Sequence, residues 1–377
     1  MDTQAQDKPL AGSLVVSLEQ AVAAPVCTAR LANAGARVIK IERPEGDFAR
    51  GYDEYVKGEA TYFVWANHGK ESVCLDLRDD ADRAVFEGLL ERADVFVQNL
   101  SVGAIDRLGY GWEALNARFP RLIVCGISGY GEDNAYASMR AYDMLIQAES
   151  GLSSISGRGR IGVSIADIVT GINAYGAILE ALIRRERTGE GERLGASLFS
   201  SMADLMAVPL LQTRYAGEAP AYMGMRHPSI VPYGAFPTAD GTEVVISIQN
   251  EREWERLCRD VLGRPDLFEE PAFASIARRT AERERVEAAV AEATAALSEA
   301  ALIERLDRAR IAYGKLNEPA DVLDHPALRQ AHVALAGGAD AEIPAPPVQA
   351  RWYGDHLGRC PSLGENTEAI RREFGHE

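Results

Sequence analysis

An aspartate at the start of a long apolar helix can serve the backbone or serve chemistry. The segment Ser164-Ile-Ala-Asp167-Ile-Val-Thr-Gly171 opens such a helix. Ile168, Ile172, Tyr175, Leu179 and Leu182 recur at spacings of four, three, four and three, which predicts one buried stripe. Arg184, Arg185 and Arg187 close it with cations, and Gly189 and Gly191 end it. Asp167 therefore lies at or just before the first turn, where an Asp commonly caps free N–H groups. Those N–H groups and the positive helix end also favour the ionised carboxylate, and an anionic carboxylate can attack an activated carbonyl carbon. Position alone leaves cap and nucleophile both open.

A second constellation is cationic. Arg43 and Arg50 follow the second predicted strand, Lys70 and Arg78 flank the third, Arg107 follows the fourth, and Arg140 precedes another helix. The chain carries 40 basic and 56 acidic side chains, a formal charge of −16, so it repels polyanions as a whole and a nucleic-acid partner is not expected. Cations at the edges of parallel strands in such a chain point to a phosphate-bearing ligand, which these sheets bind at their carboxyl ends; the plain alternative for each is a surface salt bridge.

Other signatures are weak or missing. Gly126-Ile-Ser-Gly129-Tyr-Gly131 follows a predicted strand but is not G-x-G-x-x-G, and there is no G-x-x-x-x-G-K-[ST], G-x-S-x-G or H-E-x-x-H. The six histidines, His68, His227, His325, His332, His356 and His376, form no ligand pair, so no metal is expected. His227 alone sits in an unusual run, Gly224-Met-Arg-His-Pro-Ser-Ile-Val-Pro-Tyr233, which reads as a shaped loop.

The elements that would position these groups read as α/β. Strands are predicted at Leu14–Leu18, Val38–Ile41, Val73–Leu77, Val95–Val97 and Leu122–Cys125, with helical periodicity between several of them. That alternation implies a doubly wound, mostly parallel sheet. Gly35 stands where a helix C-cap glycine belongs. After Leu211 the texture changes: prolines punctuate 212–241, a strand follows at Val244–Ile248, and a charge-laced helical region runs from Glu251 to about Arg310. This predicts a second, smaller α+β domain. Ala336–Pro347 reads as a linker, and a final helix is expected at Thr367–Phe374.

With 47% hydrophobic and 25% charged residues among 377, the chain has the balance of a soluble globular protein. Cys27, Cys74, Cys125, Cys258 and Cys360 are odd in number and widely spaced, as for reduced thiols in a cytosol. The segment MDTQAQDKPL lacks the order of a signal peptide, and no window reads as a membrane span. A cytoplasmic protein with no membrane partner is expected.

The ordered motifs resemble the class III coenzyme A transferases, the family that includes formyl-CoA transferase and the carnitine-CoA transferase group. The likeness rests on Pro9-Leu-Ala-Gly12, Ala24-Pro-Val-Cys-Thr28, Gly35-Ala-Arg-Val-Ile-Lys-Ile-Glu-Arg43, Gly46-Asp with Arg50-Gly51, and Asn67-His-Gly-Lys70 through Leu77. It continues through Ala93-Asp-Val-Phe-Val-Gln-Asn99, Gly103-Ala-Ile-Asp-Arg107, Ser128-Gly-Tyr-Gly131, Tyr142-Asp143 with Gln147-Ala148, Ala166-Asp167 and Arg187-Thr-Gly-Glu-Gly191. His227-Pro228, Pro232-Tyr233, Asp240-Gly241, His325-Pro326 and Leu363-Gly-Glu365 carry it to the carboxyl end. The set spans some 350 residues.

The resemblance implies that Asp167 is the nucleophile. It implies coenzyme A contacts at Arg43, Leu75, Arg78, Asn99, Leu100, Arg107 and Arg140, with coenzyme A a substrate and no permanent cofactor. It also implies an interlocked homodimer. The chain would then divide into 1–211, the first part of a large CoA-binding domain; a linker, 212–224; a small domain, 225–325; and 326–377, a linker and return to the large domain. Val22 stands where relatives carry a Gln beside the reacting acyl group, and Gly224-Met-Arg-His-Pro replaces their glycine lid. Arg226 and His227 could pair there with a distal carboxylate of the acyl group. The related α-methylacyl-CoA racemases use a His at the place of Tyr142, which favours transfer over racemisation. Ile311-Ala-Tyr-Gly-Lys-Leu-Asn317 looks most like relatives acting on C4–C5 dicarboxylates such as mesaconate, itaconate, citramalate, malate or succinate. Transferase, racemase and non-catalytic acyl-CoA binder all remain open at this level.

Overall fold

The computed structural model describes residues 7–375 in two compact units, one built from the chain up to residue 211 together with residues from 329 onward, the other from residues 212–328. His376 lies outside the described residues.

The first unit is built on six parallel strands: β1 (Leu14–Leu18), β2 (Arg37–Glu42), β3 (Lys70–Cys74), β4 (Val95–Gln98), β5 (Ile123–Ser128) and β6 (Arg193–Ser197). Their order across the sheet is β3-β2-β1-β4-β5-β6. The direction of winding reverses between β1 and β4, and at such a switch point the loops leaving the two strands diverge and open a crevice. β1 is buried along its whole length, as its mostly apolar Leu-Val-Val-Ser-Leu run favours. β3 begins three residues earlier than its apolar run suggested, and β6 was not foreseen: it is an edge strand, Arg-Leu-Gly-Ala-Ser, with one face in water.

Eight helices between these strands are α1 (Ala23–Asn33), α2 (Thr61–Asn67), α3 (Asp80–Arg92), α4 (Ala104–Arg107), α5 (Trp112–Arg118), α6 (Asp143–Glu149), α7 (Leu152–Ile155) and α8 (Ile165–Thr188). They cover both faces of the sheet. One core joins α1 and α8 to it through Leu31, Ala174 and Ile178, and the other joins α3 and the helix Thr367–Phe374 through Leu89, Leu90 and Ile370. Gly35 follows α1 with φ +105°, a conformation costly for any residue with a Cβ.

α8 is rotated from the predicted stripe. Thr170, Gly171, Ala174, Ile178 and Ala181 are buried, whereas Ile172 is exposed. The reason is close packing on α1: a Cβ at Gly171 would lie 2.5 Å from the Ala23 carbonyl oxygen and 3.0 Å from the Val26 side chain. Small residues let the two backbones approach, so the large ones are displaced to the flanks. α8 is also long and apolar enough to cross a membrane by length and composition, contrary to the expectation that no window is. Here it packs against the sheet. Arg185, read as a helix-end cation, is buried and donates to Asp94 at 2.8 Å.

Two further helices, α9 (Leu198–Leu205) and α10 (Ala207–Ala216), lead toward the second unit, so the expected linker at 212–224 begins as helix. In that unit β7 (Tyr233–Pro237), β8 (Glu243–Ser247) and β9 (Tyr313–Lys315) form an antiparallel sheet. The region 251–310 is broken into short helices, the longest being Arg283–Ala295 and Glu299–Ala309. Their apolar residues enclose Trp254, Leu257, Val286 and Leu306. The chain returns to the first unit through β10 (Gln330–Ala334), β11 (Asp340–Pro344) and β12 (His356–Arg359), so the stretch 336–347 is half hairpin rather than linker.

Candidate active site

At the switch point the exits of β1 and β4 are tied together. The Asn99 side chain accepts from the Gln20 N–H at 3.0 Å and donates to the Gln20 carbonyl at 2.8 Å. The next residue, Ala21, has φ +64°, a strained conformation for a residue with a Cβ. Its N–H donates to Asp47 Oδ1 at 3.0 Å, and Asp47 Oδ2 accepts from Lys40 Nζ at 2.8 Å. Lys40 also lies 3.7 Å from Glu19, which accepts from Lys70 and from Thr28, each at 2.7 Å. Burial alone would raise the Glu19 carboxyl, but Lys70 and Lys40 outweigh it and hold it below the ordinary range. Burial opposes charge on Lys40 too, and Glu19, Asp47 and Glu42 overcome it. A fully buried, internally neutralised ion cluster therefore underpins the turn that opens α1.

A cavity of about 890 Å³ lies above that turn. Gln20, Ala21 and Val22 line it from the β1 exit, Asn99 and Leu100 from the β4 exit, Phe48, Tyr52 and Tyr62 from the loop after β2 and from α2, Arg140, Tyr142 and Asp143 from the approach to α6, and Asp167 from α8. A second cavity of about 520 Å³ runs along the ends of β1, β2 and β3, lined by Arg43, Leu75, Arg78 and Leu108 and sharing Gln20 and Leu100 with the first.

Asp167 is the third residue of α8, two past its start, and caps nothing. The cap is supplied from another helix: Asp143 Oδ1 accepts from the Ala166 N–H at 2.9 Å. Asp143 Oδ2 accepts from Gln147 at 2.8 Å, and Arg160 lies 3.5 Å away. Ser164, which precedes α8, pairs its hydroxyl with Tyr62 at 3.0 Å. Among the described residues no donor reaches the Asp167 carboxylate. The expectation that a helix start keeps it ionised is outweighed: burial first, and the Asp143 charge second, push its pKa up to about 7. Tyr52 is pushed up to about 12 by burial, then by Asp47 and Asp167, so it stays a protonated donor.

The predicted residues divide. Asp167, Asn99, Leu100, Arg140, Val22 and Tyr142 share the larger cavity. Arg43, Leu75 and Arg78 share the smaller one, and Arg107 lines neither but ends α4 next to Leu108. Of the six cations singled out in the sequence, Arg50 pairs with Glu42, Lys70 with Glu19 and Arg78 with Asp76. Arg43, Arg107 and Arg140 have no carboxylate partner among the described residues. Asn99 already has both amide atoms committed to Gln20. In the second unit, Arg226 lies 3.3 Å from Glu287, and His227 accepts from the Ser229 N–H and stacks on Tyr233. Sequence reading gave no role to Asp143, Gln147 or Arg160. For Asp143 and Gln147 the signals available were their four-residue spacing on one helix face and their place in the family pattern.

Fold and site together define an α/β protein that presents a carboxylate, unengaged by hydrogen bonds, at the switch point of its sheet. The chain belongs to CoA-transferase family III, whose family model matches residues 10–367. It is 34% identical over 375 residues to the acetyl-CoA:oxalate CoA-transferase of Acetobacter aceti, covering 97% of this chain and 96% of that one. It is 34% identical over 382 residues to the succinyl-CoA:mesaconate CoA-transferase of Haloarcula marismortui, covering 96% and 95%. A solved CaiB/BaiF family protein from Brucella suis matches with a TM-score of 0.84 at 32% identity, over 98% of this chain and 100% of that one. The protein is a CoA-transferase acting on acyl-CoA thioesters.

Proposed function

We propose that this enzyme moves coenzyme A from an acyl-CoA donor to a small dicarboxylate of four or five carbons, through covalent intermediates on Asp167. The observation that supports this most strongly is the division of labour between two acids. Asp143 caps α8, and the Asp167 carboxylate is left without a donor in the cavity.

In the first step a carboxylate oxygen of Asp167 attacks the thioester carbonyl carbon, the C–S bond breaks, and a mixed anhydride and the coenzyme A thiolate result. The thiolate attacks the aspartyl carbonyl, releasing the donor acid and leaving an aspartyl–CoA thioester. The acceptor carboxylate then attacks that thioester, and the same two steps in reverse return Asp167 and form the new acyl-CoA. Each step exchanges one acyl bond for another, so the thioester's energy is retained when water is kept out. The smaller cavity, with Arg43 unpaired among the described residues and the exposed Arg78 paired to half-buried Asp76, suits the phosphates of coenzyme A. The two cavities share Gln20 and Leu100 as wall residues, an adjacency that suits a pantetheine arm reaching Asp167.

The acceptor class is supported by the relatives, named for transfer to oxalate, mesaconate and glutarate, all of which carry two carboxylates. The racemase alternative needs an imidazole at the α-carbon, and among the described residues no histidine lines the larger cavity. The interlocked homodimer belongs to the same proposal; exposed Ile172, Ile183, Val208 and Leu211 are apolar surface that a second copy would cover.

The test is a panel of acyl-CoA donors against mono- and dicarboxylic acids, read by mass spectrometry of the CoA esters. New dicarboxylyl-CoA formed at the donor's expense supports the reading. Hydrolysis alone, or no turnover with any pair, contradicts it.

A further inference from the structure

We propose that Arg160 binds the carboxylate of the acceptor that does not react, and so selects dicarboxylates over monocarboxylates. The proposal rests on the CoA-transfer reading and extends it to the residue that sets acceptor class.

Among the described residues, two cationic side chains line the larger cavity, Arg140 and Arg160. Arg140 falls in the set expected at coenzyme A, which leaves Arg160, beside Asp143 and on the cavity that Asp167 also lines. The backbone that follows it is held: the fully buried Gln147 accepts from the Ile161 N–H at 2.9 Å and its amide reaches the Val163 carbonyl at 3.3 Å. Its charge is placed by Asp143, whose Oδ2 lies 3.5 Å from Arg160 Nε. That distance is an ion pair without a hydrogen bond. Asp143 does not depend on it, because its two oxygens already accept from Ala166 and Gln147. The outer fork of the guanidinium has no partner among the described residues, and the side chain is 39% exposed.

An oriented guanidinium with its paired N–H groups free matches a carboxylate bidentately. The need for it is electrostatic. A dianionic acceptor must approach the aspartyl–CoA thioester beside the Asp143 carboxylate, and without a cation its far carboxylate is repelled.

The test compares wild type, Arg160→Met, Arg160→Gln and Arg160→Lys in the full chain. Acceptors are matched pairs differing only at the far end, succinate with butyrate and glutarate with valerate. Assays are run well above the pH midpoint of Asp167, because uncovering Asp143 raises that midpoint. The expected result is a fall of about 100-fold in kcat/KM for the dicarboxylates in the Met and Gln variants, with the monocarboxylates changed less than about threefold, and partial recovery with Lys. Equal losses on both members of a pair, or no loss on either, overturn the proposal. Wild type inactive with every acid overturns the CoA-transfer reading itself, a result distinct from an active enzyme whose preference ignores Arg160.

Discussion

Asp143 caps the helix that carries Asp167: its Oδ1 accepts the Ala166 N–H at 2.9 Å, from 23 residues away in the chain. The same carboxylate is the second cause, after burial, of the rise of Asp167 to about 7. One residue thus leaves the Asp167 carboxylate free of capping and tunes its proton affinity.

That coupling fixes a pH response. The proposed mechanism requires Asp167 ionised in the free enzyme, so kcat/KM should climb as pH rises through about 7. Asp143→Asn keeps an acceptor for the Ala166 N–H and removes the like charge, so the midpoint should move down by roughly one unit. A pH–rate series on both proteins checks this, and an unmoved or raised midpoint contradicts it.

The same shift carries a stability consequence of definite sign. Below the unfolded value near 3.8 the carboxyl is protonated in both states and folding does not oppose it; as pH rises toward 7 the unfolded chain ionises first, and stability is lost. Asp167→Asn should therefore match wild type near pH 4 and exceed it by about 1–3 kcal/mol at about pH 8. Urea denaturation at the two pH values measures it; a variant less stable than wild type at the higher pH contradicts the account.

The buried cluster beneath the turn should behave as a unit. Asp47→Ala takes from buried Lys40 its shortest ion pair, leaving Glu19 at 3.7 Å, and removes the acceptor of the strained Ala21 N–H. A loss of about 3–5 kcal/mol follows for a broken buried pair. Asp47→Asn, which retains an acceptor for Ala21, should lose less. Denaturant midpoints of the two variants check the order, and equal stability of all three proteins contradicts it.

What could be read from residues alone follows the range of the forces involved. β1 and the helix Thr367–Phe374 lie where their sequences place them, because an apolar run broken only by Ser17 and a short amphipathic period are local properties. β6 escaped because an edge strand has only half a hydrophobic pattern, and the face of α8 was misjudged because its packing on α1 selects small residues over apolar ones. At the site, the place of Asp167 in the first turn of a long helix was legible. The roles of Asp143, Gln147 and Arg160 were not, since each is defined by partners 14 to 23 residues away that only the folded chain brings near.

The central claim is that the Asp167 carboxylate carries the acyl group and then coenzyme A. Wild type and Asp167→Asn, mixed with an acyl-CoA donor and quenched with hydroxylamine, are digested and mapped by mass spectrometry. The account predicts a hydroxamate on Asp167 of the wild type, absent without donor and absent in the variant, together with loss of transfer in Asp167→Asn. Unmodified Asp167 in a wild type that turns over, or a variant that still transfers coenzyme A, would contradict it.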